Sequence, residues 1–355
     1  MKQGENKFHV DPLFAAANSG GGFVSFYKEI FAGASIEQRY IIKGGPGTGK
    51  SSFMKKIAKA AAAQGRDIEY YRCSSDPDSL DGIVIDGKIA VLDGTAPHSE
   101  DTTLAGARDE IVDLGAFWDS EVLREKRAEI ELLAKKKSEA YRRAYRFLAA
   151  CDELFWVERS LILPSLKHEK LEGAVGRILA EIPSGNGGRV MPVLADSVGM
   201  KGRVRFDSYE RSAKKLYKVV DHYQTGHLFL RALITGALDK KCELRVSYHP
   251  IHIEEPNAVY FCHTGDCFVI SDAEDSVTAD VKINMKRFVS ADKIREIRSE
   301  WRNNKHLYDS MIASACDCLK KAGEYHFELE KIYIATMDFK AENEFCDRFI
   351  ARVLR

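Results

Sequence analysis

Two spacings of hydrophobic residues alternate along this chain of 355 residues. The segment 67–73 (DIEYYRC) reads as a strand, and short, unbroken apolar runs occur at 39–43 (RYIIK) and 88–94 (KIAVLDG). Each run reads as a strand buried on both faces, since a strand with one wet face would alternate. Residues 51–65 (SSFMKKIAKAAAAQG) favour a helix ending at Gly65, a C-cap. Further on, Ala144, Phe147, Leu148, Cys151, Leu154 and Phe155 recur at helical spacing and make one apolar face. They lie in a helix expected over 119–163, broken at Pro164 and followed by a shorter one to about 182. A similar pair is expected at 291–321 and 325–353, parted near Gly323. These elements predict an α/β fold, a parallel sheet flanked by helices, with an antiparallel helical hairpin closing each half. The segment PSGNGGRVMP, 183–192, has the composition of a linker.

The junction of the first strand and first helix carries chemistry. GGPGTGKS, Gly44 to Ser51, fits G-x-x-x-x-G-K-[ST] between a strand and a helix, the context the pattern requires. In that geometry the backbone of Gly44, Gly45, Pro46, Gly47, Thr48 and Gly49, with Ser52 beyond, would wrap a phosphate at a helix N-terminus. Lys50 would neutralise the β and γ oxygens, and the Ser51 hydroxyl would ligate Mg²⁺. Asp93, closing the apolar run 88–94, is the expected second group at the metal; no glutamate follows it to polarise a water. Between these motifs, SSDPDSLDG (74–82) offers Asp76, Asp78 and Asp81 beyond a strand end, where ligands bind in open α/β sheets. Asp76, nearest the strand, is the first candidate for a base or acceptor site, although the same residues also build ordinary Asx-turns. Thr95 and His98 stand where a γ-phosphate sensor would.

The first half recurs in the second. An offset of 177 lays RYIIKGGPGTGKSSF on LYKVVDHYQTGHLFL, and LFAAANSGGGFVSF at 13–26 falls on VLADSVGMKGRVRF at 193–206 with an offset of 180. DIEYYRCS falls on ELRVSYHP, and IAVLDG on CFVISD. In this copy His227 stands for Lys50, Leu228 for Ser51, and Asp221, His222 and Tyr223 for Gly44, Gly45 and Pro46. Asp93 falls on Ser271, with Asp272 one residue late. We expect tandem domains, 1–183 with a hairpin at about 119–182 and 184–355 with a hairpin at about 291–353, the second degenerate at its phosphate loop. Arg203, Arg205, Arg231 and Arg245 are candidates for an arginine supplied to the first site, with nothing to choose among them.

Composition narrows the partners. Lysine plus arginine equals aspartate plus glutamate, 53 each, so no global field favours nucleic acid or anionic lipid. Lys135, Lys136, Lys137, Arg142, Arg143 and Arg146, with Tyr141 and Tyr145, could form a local phosphate patch. The preceding acidic residues favour a solvated face with pairs such as Glu131 to Lys135. No apolar run nears the roughly 18 residues of a membrane span, so a cytoplasmic protein is expected. Eight cysteines without a CxxC pair read as reduced thiols; Cys262, His263 and Cys267 lack a zinc spacing.

Taken in order, LFAAANSGGG, IIKGGPGTGKSS, CSSDPDSLDG and IAVLDGTAPH, followed by long helices and a related second half, resemble a family of uncharacterised bacterial proteins, mostly from Firmicutes, described as duplicated P-loop NTPases or ATPases. The resemblance covers nearly the whole chain and implies nucleotide binding through Gly49, Lys50, Ser51 and Asp93. Preference for ATP over GTP rests on that likeness and on the absence of an NKxD guanine motif, since NNKH at 303–306 lacks the aspartate. The expected activity is Mg²⁺-dependent ATP hydrolysis in the first domain, coupled to a conformational change between the halves. A small-molecule or nucleotide kinase using the Asp76 region, and a nucleotide-gated binding module with little turnover, are the alternatives. A protein partner could dock on the helical extensions.

Overall fold

The computed structural model describes residues 12–271 and 278–355. It holds two six-stranded sheets of one connectivity. The first runs, edge to edge, Leu13–Phe14, Ile68–Arg72, Leu80–Ile85, Ile89–Asp93, Gln38–Lys43, Asp109–Asp113. The second runs Val190–Val193, Leu244–Tyr248, Pro256–Phe261, Asp266–Ser271, Lys215–Val220, Val281–Asn284. Every pairing has the same sense in both.

These sheets are mixed, which corrects the expected parallel arrangement. Leu80–Ile85 runs antiparallel to both neighbours. A parallel return needs a crossover of about a dozen residues or more, and the chain between Ile68 and Asp93 has no room for two. It reverses tightly instead, the second time on Asp86 (φ 53°) and Gly87 (φ 67°), a left-handed pair whose twist suits a hairpin. Ile68–Arg72 thereby regains the direction of Ile89–Asp93, so Cys73, Asp81, Asp93 and the loop after Lys43 meet at one end of the sheet.

The strand Gln38–Lys43 lies between two parallel neighbours and is covered on both faces. Ile41 enters one core while Tyr40 and Ile42 enter the other. Against the second face packs the helix Lys50–Ala63, whose Phe53, Met54, Ile57, Ala58 and Ala61 form a single stripe.

Two small hairpins, Ala16–Ser19 with Gly22–Ser25 and Asp196–Gly199 with Gly202–Arg205, repeat one register at an offset of 180. Phe14 and Leu194, related by the same offset, exchange N–H···O bonds of 2.8 and 3.1 Å and join the sheet edges about an approximate two-fold axis.

The helices depart from the expected hairpins. Arg127–Ile162 (36 residues) and Ala291–Ile334 (44 residues) pack antiparallel on each other, across the halves. Asn304 Nδ2 donates to the Leu154 carbonyl at 2.9 Å along this seam. The second helix continues through Gly323, where the break was expected: a Cβ there would lie 3.0 Å from Met200, so the glycine serves close packing of the hairpin turn. The short helices are exchanged. His168–Glu181, from the first half, buries Leu171, Val175 and Leu179 against Phe229, Leu230 and Leu233 of the second. Phe339–Val353 buries Cys346, Phe349 and Val353 against Phe53 and Ile57 of the first. A 36-residue helix advances about 54 Å, which carries the chain past its own sheet before it turns. The sequence boundary at 183/184 is therefore not a boundary of packing. No described helix is long and apolar enough to cross a membrane.

Candidate functional site

The glycine-rich loop lies between the strand Gln38–Lys43 and the helix starting at Lys50. Gly47 (φ 70°) and Gly49 (φ 84°) adopt the left-handed region that turns successive N–H groups inward. Thr48 is buried, and its hydroxyl closes the loop by donating to the Gly45 carbonyl at 2.9 Å. Lys50 Nζ donates to the Gly45 carbonyl at 2.7 Å and the Gly44 carbonyl at 3.3 Å, and lies 3.6 Å from Asp93 Oδ2. Asp93 is brought there by strand pairing, opposite Ile42, and its Oδ1 accepts from the Thr95 N–H (2.9 Å) and hydroxyl (2.6 Å). Ser51 Oγ accepts from Leu80 N–H at 3.1 Å.

These groups line a cavity of about 1030 Å³. Across it, His98 Nε2 stands 3.3 Å from Asp81 Oδ2, both buried, with the His98 ring stacked on Tyr27 at 4.4 Å. Burial opposes a charge on His98, but Asp81 beside it more than offsets this and raises the pKa above the usual histidine value. His98 Nδ1 has no hydrogen-bond partner among the described residues, and His98 Nε2 is the group that faces Asp81 Oδ2. The loop bearing Thr95 and His98 is anchored from the central strand, where Arg39 donates to the Asp101 carbonyl (2.6 Å) and Lys43 to the Gly94 carbonyl (2.7 Å).

Asp76 also lines the cavity, but its oxygens organise the turn, accepting from Ser79 Oγ (2.8 Å) and Asp78 N–H (3.3 Å). Of the three aspartates it is Asp81 that meets His98. Sequence reasoning placed Asp81 in a loop; its position on a strand followed from the overlooked Asp86–Gly87 turn.

The second half closes the cavity. Met200 lines it, and Lys201 pairs with Asp78 and lies 4.0 Å from Asp76. The end of the helix Ala291–Ile334 sits on the glycine-rich loop: a Cβ on Gly45 would lie 2.7 Å from the Tyr333 ring, and one on Gly47 2.8 Å from the Glu330 carbonyl. Glycine is required at both positions by these contacts as well as by φ at Gly47. His326, at 3.4 Å, holds the Glu330 carboxyl below its usual pKa, and Lys50 and the Gly47 N–H add to this. From the other long helix, Lys137 lines the cavity with its pKa lowered, by burial first and by Lys50 next. Tyr141 donates to Ser75 Oγ (2.9 Å) and Tyr145 to Asn18 Oδ1 (3.0 Å), while Lys135, Arg142 and Arg143 are exposed. The four arginines considered from sequence lie elsewhere: Arg245 pairs with Glu69, Arg231 with Glu255, and Arg203 and Arg205 with Asp196.

The matching loop of the second half is filled by its own residues. The Asp221 carboxylate accepts from the N–H groups of Tyr223 (3.2 Å), Thr225 (3.1 Å) and Gly226 (2.7 Å), so a resident anion occupies the helix N-terminus. His227 is buried, which pushes its pKa below the usual histidine value, and lies 3.8 Å from Glu255, which also pairs with Arg159 (2.5 Å) and Arg231 (3.0 Å). Phe155 stacks on His252 at 4.0 Å. Strand pairing corrects one correspondence: Ile270 opposes Val219 as Asp93 opposes Ile42, so Asp93 matches Ile270 rather than Ser271. Asp272 lies outside the described residues.

Fold and site together define a pseudo-symmetric α/β protein of two mixed six-stranded sheets, with one glycine-rich loop open to a cavity and one loop closed by its own aspartate. Comparisons with protein-family models, with curated proteins and with solved structures returned no match.

Proposed function

We propose that the first half binds Mg²⁺-ATP through Gly44–Ser51 and hydrolyses it, the bound state being read by the second half through Glu330 and Tyr333. The observation that carries this reading is Lys50, held between loop carbonyls and Asp93 at the mouth of a cavity large enough for a nucleotide. A triphosphate would draw Lys50 from the Gly44 and Gly45 carbonyls to its β and γ oxygens. Among the described residues no cluster of three or more His, Cys, Asp or Glu could hold a metal. A serine hydroxyl and one carboxylate, Ser51 and Asp93, fit Mg²⁺ held mainly by phosphate and water. Bound there, Mg²⁺ would neutralise charge on the phosphates. Asp81 and His98, paired in the cavity wall with His98 Nδ1 left without a hydrogen-bond partner among the described residues, are the groups to orient a water or hold its proton.

The same pair supports a second reading, transfer of the γ-phosphoryl to an acceptor hydroxyl, because a buried carboxylate–imidazole dyad can equally serve an alcohol. The test is nucleotide binding and phosphate release by wild type, Lys50→Ala and His227→Ala. Steady release from ATP alone, lost only in Lys50→Ala, is expected; release that required an added acceptor would replace hydrolysis by transfer. Binding undiminished in Lys50→Ala would remove both.

A further inference from the structure

A second cavity, of about 430 Å³, opens on the outer side of the closed loop. One wall is the pair Tyr223 and Trp301, in edge contact at 5.6 Å; the rim carries Lys286, Arg295, Arg298 and Arg302. Among the described residues no carboxylate lines it, and apolar Ile162 and Val289 form part of its floor. Arg295 pairs with Asp292 on its own helix. Lys286, Arg298 and Arg302 have no ion-pair partner among the described residues. Trp301 is fixed from behind, its Nε1 donating at 2.6 Å to Glu158, a buried carboxylate whose other oxygen accepts from Gln224 at 3.1 Å.

The duplication supplies a control. Near the long helices the copies match at an offset of 171, which superposes the Trp118–Met337 bridge on the Leu166–Val289 bridge. Arg298 and Arg302 then correspond to Arg127 and Glu131, which neutralise each other at 2.7 Å in the first half. Trp301 corresponds to Ile130, and Tyr223 to Pro46. Arg302, Trp301 and Tyr223 are thus particular to the second copy, while Arg298 is an arginine in both and in the second lacks the acidic partner; all four converge on one groove.

We propose that this groove binds a nucleotide, its base on the Tyr223–Trp301 pair and its phosphate on Arg298 and Arg302. Aromatic faces accept any base, and arginine forks accept phosphate oxygens. The unit could be a free nucleotide or the phosphorylated end of a single strand, which offer the same chemistry. Trp301 provides the readout. In a Trp118→Phe, Trp156→Phe protein that also carries Lys50→Ala, ADP and a 5′-phosphorylated octathymidylate are titrated separately. Saturable quenching by at least one, weakened tenfold or more by Arg298→Glu with Arg302→Glu, is expected; the probe that binds tighter identifies the source. Both arginines are exposed, and unchanged circular dichroism checks that the variant is folded. No quenching by either probe at millimolar concentration, or quenching equal in the charge-reversed variant, overturns the proposal. Since Lys50 is already removed, the outcome is independent of phosphate chemistry at the first loop.

Discussion

A fragment of residues 1–183 would contain the whole first sheet and its glycine-rich loop, yet the exchanged helices predict that it does not fold. It lacks Phe339–Val353, whose Phe349 and Val353, with Leu354 after them, are buried among Tyr40, Phe53 and Ile57. Full burial of a large apolar side chain is worth about 1.5–3 kcal/mol, so these three account for roughly 5–9 kcal/mol. That is comparable to the entire stability of an ordinary domain, about 5–15 kcal/mol. The fragment would also expose Leu171, Val175 and Leu179, whose partners Phe229, Leu230 and Leu233 lie in the second half. Urea unfolding followed by circular dichroism should show no cooperative transition for 1–183 alone, and recovery when 184–355 is co-expressed. In the intact chain, Phe349→Ala should cost about 3–4 kcal/mol and lower the midpoint at unchanged slope. A cooperative transition of 1–183 at the midpoint of the full chain would refute the exchange of helices.

Glu330→Gln removes a carboxylate that faces Lys50 and the Gly47 N–H. A unit charge at about 4 Å in a wet site is worth about 1 kcal/mol, so Mg²⁺-ATP affinity should rise roughly fivefold, read by fluorescence titration. His98 gives a pH dependence: its pKa is raised in the folded protein, where Asp81 outweighs burial. Its contribution is therefore full below the unfolded value of about 6.5 and lost as pH rises through the folded pKa. Asp81→Asn should leave burial dominant, shift the His98 NMR titration downward and shrink the loss of stability between pH 6 and pH 9. Asp221→Ala should cost about 1–2 kcal/mol through the lost cap, measured by thermal melting. It should open no phosphate site at the N-terminus of the helix Gly226–Asp239, in addition to the groove at Tyr223 and Trp301, because Glu255 and His227 still fill the space behind the loop.

What could be read from the chain was local. The strand, loop and helix around Lys50 follow from residues adjacent in sequence, and so does Asp93, which needs only an apolar run and a neighbouring parallel strand. The repeat was legible because turns and apolar runs survive where chemistry does not. At Ile270 the sequence register slipped by one residue, since serine and aspartate next to an apolar run look like a motif end, and only the pairing with Val219 fixes the position. The antiparallel strand Leu80–Ile85 had its sign in Asp86–Gly87, a hairpin turn that went unread. Which sheet each short helix covers was illegible: an apolar stripe such as Leu171, Val175 and Leu179 states that something is buried, without naming the surface that buries it. Glu330 and Tyr333 carry no motif and reach the loop from some 280 residues away in sequence, through packing alone.

Two rigid elements touch both loops, and this bears on why a filled copy is retained. The helix Ala291–Ile334 places Trp301 beside Tyr223 at one end and Glu330 and Tyr333 on Gly47 and Gly45 at the other. Those ends are separated by about 44 Å of continuous helix. Its antiparallel partner places Glu158 and Arg159 on Gln224 and Glu255, and Lys137 and Tyr141 on the first cavity. A group that displaced Glu330 from Gly47 would have to tilt or slide a helix whose far end is packed on the second loop and whose side is fixed along a buried seam. Close-packed seams have discrete arrangements rather than continuous ones, so such a displacement would be felt at Tyr223. If the two seatings are coupled, linkage makes that coupling free energy the same in both directions, from Glu330 on Gly47 to Trp301 on Tyr223 and back. Asp221 makes this arrangement durable. By supplying its own anion to the helix N-terminus, the second loop satisfies its N–H groups without a ligand, and on the proposed coupling it would serve as the fixed side against which the first loop moves.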